Sequence, residues 1–297
     1  MANLKEIRIR IASVVSTRQI TSAMKMVAAA KLKKAQDSIV NFRPYARKMQ
    51  EIMVNVASAA GNVDGNVYAE DRDCYNALVV VITSNRGLCG AFNSNAIKEG
   101  IRTAEKKYGA LMKKGKVHFY TIGKKGYDII SKRNLPIEQQ DFNIFDNLTY
   151  DNVATIAESL MDAFKSGKYD SIDIVYNGFV NAAVQRVTVQ HFLPLLPEDE
   201  PEAKPKSKKV HIDYIYEPSK EFIIRELIPQ NLKMLVYQAL LDSVASEHGA
   251  RMTSMHQATD NASQLITDLT LQYNKARQAS ITNELVEIVS GAEALNG

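Results

Sequence analysis

The sequence predicts an α/β fold with long terminal helices: an antiparallel two-helix coiled coil plus an α/β domain built on a mostly parallel sheet. Three observations carry this. First, residues 230–294 contain no proline and place apolar side chains at helical spacing: Leu232, Leu235, Val236, Ala239, Leu240 and Val244, then Leu265, Leu269, Tyr273 and Ala276, then Leu285, Ile288, Val289 and Ala292. Second, residues 3 to about 57 repeat apolar positions in steps of three and four, the seam of a coiled coil. Third, the residues between alternate short β-branched runs with helical segments, the signature of strand–helix–strand units.

The C-terminal stretch, if wholly helical, spans roughly 98 Å at 1.5 Å per residue. Such a helix cannot bury its apolar stripe against itself and needs a partner. The N-terminal helix is the economical choice. Its seam runs through Leu4, Ile7, Ile11, Val14, Met24, Val27, Ala28, Leu32, Ala35, Ile39, Phe42, Met49, Ile52, Met53 and Val56, interrupted at Arg18 and Lys31. Pro44 either bends this helix or is tolerated where one hydrogen bond is missing. Charge supports the pairing. Residues 1–50 carry eleven Lys and Arg against Glu6 and Asp37, a net +9, whereas residues 219–297 carry six basic and nine acidic groups, a net −3. The N-terminal helix covers roughly 83 Å by the same rise, so the longer one projects beyond the pair. The remainder, from about Glu284 to Gly297, reads as small and weakly charged, suited to an axle tip turning in an apolar bearing.

Residues 61–73 are a polar, glycine-containing connection. Residues 76–83 (NALVVVIT) form a continuous β-branched run, hence a buried parallel strand. A glycine loop at 84–92 and a helix at about 93–108 follow. Residues 117–122 are a second strand, 123–126 a turn into a short helix ending near Arg133, and 139–143 a weak third strand. Residues 150–166 are helical; 171–176 and 184–192 are the fourth and fifth strands. The result is a Rossmann-like domain over 74–216, interrupted at 194–209 by a charged, proline-rich, flexible insertion. A strand at 211–216, a Ser219 cap, a brief helix and a break at Pro229 precede the final helix. The coiled-coil shaft is assigned to 1–58 and 218–297.

Composition excludes several classes. Hydrophobic residues at 45% and charged residues at 24% fit a folded chain rather than a disordered one. No apolar run approaches the ~20 residues of a membrane span, and the N-terminus has no signal-peptide core. Cys74 and Cys89 show neither metal spacing nor a disulfide framework, which points to a reducing cytoplasmic setting. His248 and His256 stand two helical turns apart, too wide for one metal.

Two loops invite a phosphate. Residues 84–93 (SNRGLCGAFN) follow a strand and open a helix, where backbone amides can hold an anion, but they lack the dinucleotide fingerprint and any Gly-Lys-Ser/Thr. Gly123-Lys124-Lys125-Gly126 is weaker still. On residues alone, three readings stay open: a Rossmann-like nucleotide-binding protein, a coiled-coil nucleic-acid binder using the basic first helix, and a basic face that meets an acidic protein.

Residues 20–31 (ITSAMKMVAAAK), the 84–93 loop and residues 247–294, with ARMTSM, ATDNA and YNKARQASIT, closely resemble the γ subunits of bacterial F-type ATP synthases. The resemblance covers essentially the whole chain. Asn85 and Ala91 depart from the family's usual Asp and Gly in the glycine loop. The resemblance implies a non-catalytic rotor subunit in the central stalk of the F1 sector. Such a subunit transmits torque between the membrane c-ring and the hexamer of α and β subunits, couples proton or sodium flow to ATP synthesis and regulates ATPase activity. It implies α, β, ε and c subunits as partners, one copy per complex, and a peripheral place on the cytoplasmic side of the cell inner membrane. Neither cofactor, metal nor nucleic acid is expected. By the same resemblance Met24, Lys25, Lys31, Arg251, Gln278, Thr282 and Glu284 contact the αβ hexamer, and Tyr214, Tyr216 and Glu217 belong to the foot that meets the c-ring and ε.

Overall fold

The computed structural model describes residues 4–60, 67–70, 72–195 and 220–296. They gather into two compact units, Met1–Ala29 with Arg251–Gly297, and Ala30–Ala250. Two long helices, α1 (Leu4–Ala60) and α5 (Lys220–Asn296), contribute to both. Between them lie β1 (Ala77–Ile82), α2 (Phe92–Lys113), β2 (Val117–Ile122), α3 (Lys124–Lys132), β3 (Ile137–Asp141), α4 (Tyr150–Lys165), β4 (Ser171–Phe179) and β5 (Gln185–Leu193). The expected strand at 211–216, the Ser219 cap and all but the first two residues of the insertion lie outside the described residues.

In the larger unit the strands take the order β3-β2-β1-β4-β5. The first four are parallel and β5 closes the sheet antiparallel to β4. β1 sits at the centre and is buried at all six positions, which is why its residues read as an unbroken apolar run. Leu78, Val80 and Ile82 face one layer, with Val153, Leu160 and Phe164 of α4 and Ile228, Leu232, Val236 and Leu240 of α5. Val79 and Val81 face the other, with Ala96, Ile97 and Ala104 of α2 and Ile130 of α3. Each fully buried Leu, Ile or Phe contributes about 1.5–3 kcal/mol, so this double-sided sheet is where the unit's stability resides.

The expectation of a break is corrected: α5 runs through Pro229 without one. α1 likewise runs through Pro44, the tolerated alternative. Each proline removes the donor to the carbonyl four residues earlier. Those carbonyls belong to Arg225 and Val40, both exposed residues, so the lost bond is not a buried one. α2 continues to Lys113 rather than ending near 108, because the chain bends there instead of stopping: Tyr108 has φ −123°, ψ 25°.

The bend has a cause. Asp173 on β4 is 1% exposed and faces the α2 layer. It accepts bonds from Lys107 Nζ (2.8 and 3.0 Å) and Tyr108 Oη (2.7 Å), whose hydroxyl also lies 2.6 Å from Ser171 Oγ. His191 Nδ1 of β5 lies 2.7 Å from Asp173 Oδ1, a separation that requires a proton between them. Burial alone would raise the Asp173 pKa, but the His191, Lys107 and Tyr108 donors outweigh it and hold the carboxyl below its usual range. Burial pushes the Tyr108 phenol up, reinforced by Asp173.

Candidate partner interface

In the smaller unit α1 and α5 pair antiparallel. The seam of α1 is Leu4, Ile7, Ile11, Val14, Arg18, Thr21, Lys25 and Ala28, and that of α5 is Met255, Thr259, Ala262, Ile266, Leu269, Tyr273, Ala276 and Ser280; none of these is exposed. The steps alternate three and four without exception, a coiled-coil heptad. Arg18 therefore continues the seam instead of interrupting it. Three cross-helix pairs agree on one register: Arg8 Nη2 donates to Tyr273 Oη (2.7 Å), Thr21 Oγ1 meets Thr259 Oγ1 (2.8 Å), and Lys25 Nζ lies 3.5 Å from His256 Nδ1. In each pair the residue numbers add to 280 or 281. Thr21 is buried, so its bond to Thr259 satisfies a hydroxyl that would otherwise cost about 1–3 kcal/mol.

The outward face of α1 inverts the usual pattern. Where the seam is polar, at Arg18, Thr21 and Lys25, the exposed side carries Ile20, Ala23, Met26 and Val27. Polar groups inside and apolar groups outside mark a helix pair shaped to meet other protein. α5 gives a second such surface. By the register above, Leu4 stands level with about residue 276. Beyond that point α5 has no α1 residue beside it among the described residues, and every described side chain from 281 to 292 is exposed. The expectation of a small-residue tip is corrected. Exposure starts at Ile281, and the exposed side chains include Leu285, Val286, Ile288 (68%) and Val289, large enough to anchor in a partner.

The residues assigned to the αβ hexamer fall on several surfaces. Met24 and Lys25 are half-buried in the pair, and Arg251 is half-buried on α5. Gln278, Thr282 and Glu284 are exposed beyond or at the end of the pair. Thr282 Oγ1 bonds back to Gln278 O (2.9 Å), and Ser280 Oγ donates to Glu284 Oε1 (3.5 Å). Lys31 is exposed in the larger unit. Tyr214, Tyr216 and Glu217 lie outside the described residues. Sequence reading missed Thr21, Thr259 and the Ile20–Val27 face; the strict heptad, counted through the polar positions, was the available signal.

The two loops that invited a phosphate satisfy each other. The first amides of α3 are taken by the end of β1: Lys124 N donates to Asn85 Oδ1 (3.0 Å), Lys125 N to Ser84 O (3.1 Å) and Gly126 N to Thr83 Oγ1 (2.9 Å). Gly123 holds φ +106°, and a Cβ there would stand 2.2 Å from Thr83 O, so glycine serves a close backbone approach. Asn85, a departure from the family pattern, also donates to Phe142 O (2.6 Å), which a carboxylate cannot do. In sheets of this order ligands enter the crevice beyond the strand ends where the order reverses. Here Phe92 and Cys89 pack with Ala250 of α5 at that end of β1, and Asn177 of β4 donates to Phe92 O (3.2 Å). Among the described residues no cluster of three metal-ligating side chains occurs, and no helix is long and apolar enough to cross a membrane.

A helix pair with outward apolar faces and, in the other unit, a crevice filled by its own side chains are the features of a subunit built to assemble with other protein. Comparison with known proteins makes this specific. Residues 3–295 match the family described as ATP synthase. The chain is 54% identical over 297 residues to the ATP synthase gamma chain of Flavobacterium johnsoniae and 48% over 296 residues to that of Cytophaga hutchinsonii, covering 100% of each chain. Among solved structures it is similar to a chain of the Tetrahymena thermophila mitochondrial ATP synthase central stalk and c-ring, with TM-score 0.58 and 28% identity over 80% of this chain and 99% of that one. A chain of the Euglena gracilis mitochondrial ATP synthase shares the fold, with TM-score 0.66 and 20% identity over 98% and 94%. The chain belongs to the ATP synthase gamma-chain family. Its function is the family's: a non-catalytic central-stalk subunit of the ATP synthase.

Proposed function

We propose that the paired helices, assigned to 1–58 and 218–297, form the rotating shaft, and that 74–216 form the foot. The shaft enters the hexamer of α and β subunits, and the foot meets ε and the c-ring on the cytoplasmic side of the cell inner membrane, one copy per complex. The observation that carries this reading is the end of α5, where Ile281, Leu285, Val286, Ile288 and Val289 stand exposed with no helix beside them among the described residues. A tip of roughly 24 Å, residues 281–296 at helical rise, with large exposed apolar side chains supports enclosure by partner protein; its charges are all of one sign, Glu284, Glu287 and Glu293. Met24, Lys25, Lys31, Arg251, Gln278, Thr282 and Glu284 are the proposed contacts to the hexamer. Tyr214, Tyr216 and Glu217 are the proposed contacts of the foot.

Torque transfer needs a stiff element whose faces differ. A strict heptad supplies stiffness, and the contrast between the apolar Ile20–Val27 face and the basic positions makes the surroundings inequivalent as the shaft turns. The basic stretch of α1 faces acidic loops of the hexamer in this reading. Reversing charge at Lys31, Lys33 and Lys34 together is expected to weaken ATP-driven proton pumping in membrane vesicles while α and β subunits still co-purify. Pumping at the unaltered rate would refute the charge assignment, and failure to bring down α and β with the native chain would refute the shaft.

A further inference from the structure

α2 and α3 lie on one face of the sheet, since both feed the layer containing Val79, Val81 and Ile130. Both end at the rim where the parallel strands begin. Lys116 O accepts from Ala77 N (3.0 Å) at the start of β1, and Pro136 O accepts from Phe119 N (2.8 Å) near the start of β2. The topology therefore gathers Lys113, Lys114 and Lys116 with Lys132 and Arg133 at one rim, all five exposed. None has a carboxylate partner among the described residues. Two acids near this rim are engaged elsewhere: Glu138 pairs with Lys168, and Asp170 accepts from the amides of Tyr75 and Asn76 (2.9 Å each). Against the five cations stands the exposed Asp73. Lys113 and Lys132 stand in the last turns of their helices, where a cation complements the helix dipole. Lys114 and Arg133 are the C-cap residues of the same helices, and Lys116 lies two residues further on, but five cations on one rim exceed what two helix ends require.

We propose that this rim is a docking surface for anionic phospholipid headgroups, an inference that rests on the reading of the chain as part of a membrane-bound complex. Specific protein interfaces are depleted in lysine and enriched in aromatic residues and arginine. The rim is four lysines and one arginine, and the aromatic exposed beside them at the start of β1 is Tyr75 (60%), a residue type that suits the headgroup level of a membrane interface. Lysine is a compact hydrated charge without fork geometry, and groups of four to eight such cations suit the diffuse negative field of a lipid surface. The rim also lies at the opposite end of the sheet from Phe92 and Ala250.

The test uses the chain assembled with its α and β subunits and measures co-flotation with phosphatidylcholine vesicles, with and without phosphatidylglycerol. Binding is expected only with phosphatidylglycerol and weakens with added salt. Each cation neutralised costs about fivefold, so replacing all five by Gln lowers binding at least about a hundredfold. Replacing Lys98 and Lys124, exposed near the starts of α2 and α3 at the other end of the sheet, by Gln is expected to leave it unchanged. Equal binding to neutral vesicles, undiminished binding of the five-site variant, or capture by polyglutamate but not by vesicles overturns the proposal, the last in favour of an acidic protein surface. Retention of α and β by the five-site variant separates failure of the rim from failure of the shaft reading.

Discussion

The two units of this chain treat polarity in opposite ways. In the larger one the strands are apolar inside, and the charge at their centre, Asp173, is surrounded by three donors. In the smaller one the seam is polar over Arg18, Thr21 and Lys25, while Ile20, Met26, Val27 and the whole of residues 281–292 face outward. The first pattern closes a structure upon itself. The second leaves apolar surface that the chain alone cannot bury, and so specifies partners. Stability and function are consequently separable by position, and substitutions should divide the same way.

The largest effect is expected at Asp173. Asp173→Ala removes the common acceptor of Lys107, Tyr108 and His191. Lys107 and His191 can turn to water, but the buried Tyr108 hydroxyl loses its charged acceptor and a cavity is left, which together cost about 2–4 kcal/mol. Urea unfolding of the full chain measures it. The pH dependence has a definite sign: the folded pKa lies below the unfolded one, so this stabilisation is present above the ordinary aspartate range and is lost as pH falls through the folded value. A variant as stable as the parent would mean that the α2 bend is held by something else.

Asp242 on α5 sharpens the contrast, because it breaks the larger unit's own rule. Burial pushes its pKa up to about 6, with partial relief from Arg43. A folded pKa above the unfolded one destabilises as pH rises from about 4 through 6. Asp242→Asn is therefore expected to stabilise the chain by about 1–3 kcal/mol at pH 8, with the gain vanishing near pH 4. A pH-independent difference between the melting curves of the two proteins would contradict this. Such a carboxylate is a cost retained in an otherwise consistent core.

What the sequence made legible follows the same division. β1 is readable because a strand buried on both faces must be a continuous apolar run. α4 is readable because Thr149 Oγ1 caps it by accepting from Asn152 N and its buried positions recur at helical spacing. Pro229 was misjudged because its tolerance depends on where the Arg225 carbonyl points, a property of burial rather than composition. The Tyr108 bend depends on Asp173, 65 residues further on, which no local pattern encodes. In the smaller unit the length of the helices was legible, but the polar seam looked like an interruption until Thr21 was seen to meet Thr259 across 238 residues. Apolar residues at 281–289 read as seam positions by spacing alone, because spacing does not tell a covered stripe from an uncovered one.

The smallest effect on stability is expected at that uncovered stripe, and it separates the two patterns most cleanly. Ile288 and Val289 are 68% and 56% exposed, so Ile288→Ser with Val289→Ser forfeits little burial within the chain. Exposed substitutions away from caps and cores stay within about ±0.5 kcal/mol, and the urea midpoint of the isolated chain should barely move. Serine lowers helix propensity by only a few tenths of a kcal/mol against isoleucine or valine, too little to unwind the end of α5. Within the complex the outcome differs, because an apolar anchor seated in a partner's pocket typically contributes more than 1 kcal/mol. Retention of α and β at low concentration, and the coupling of ATP hydrolysis to proton pumping, should both fall. If instead the isolated chain loses stability and the complex is unaffected, the end of α5 is packed by the chain itself, and the inside-out pattern of the smaller unit has another purpose.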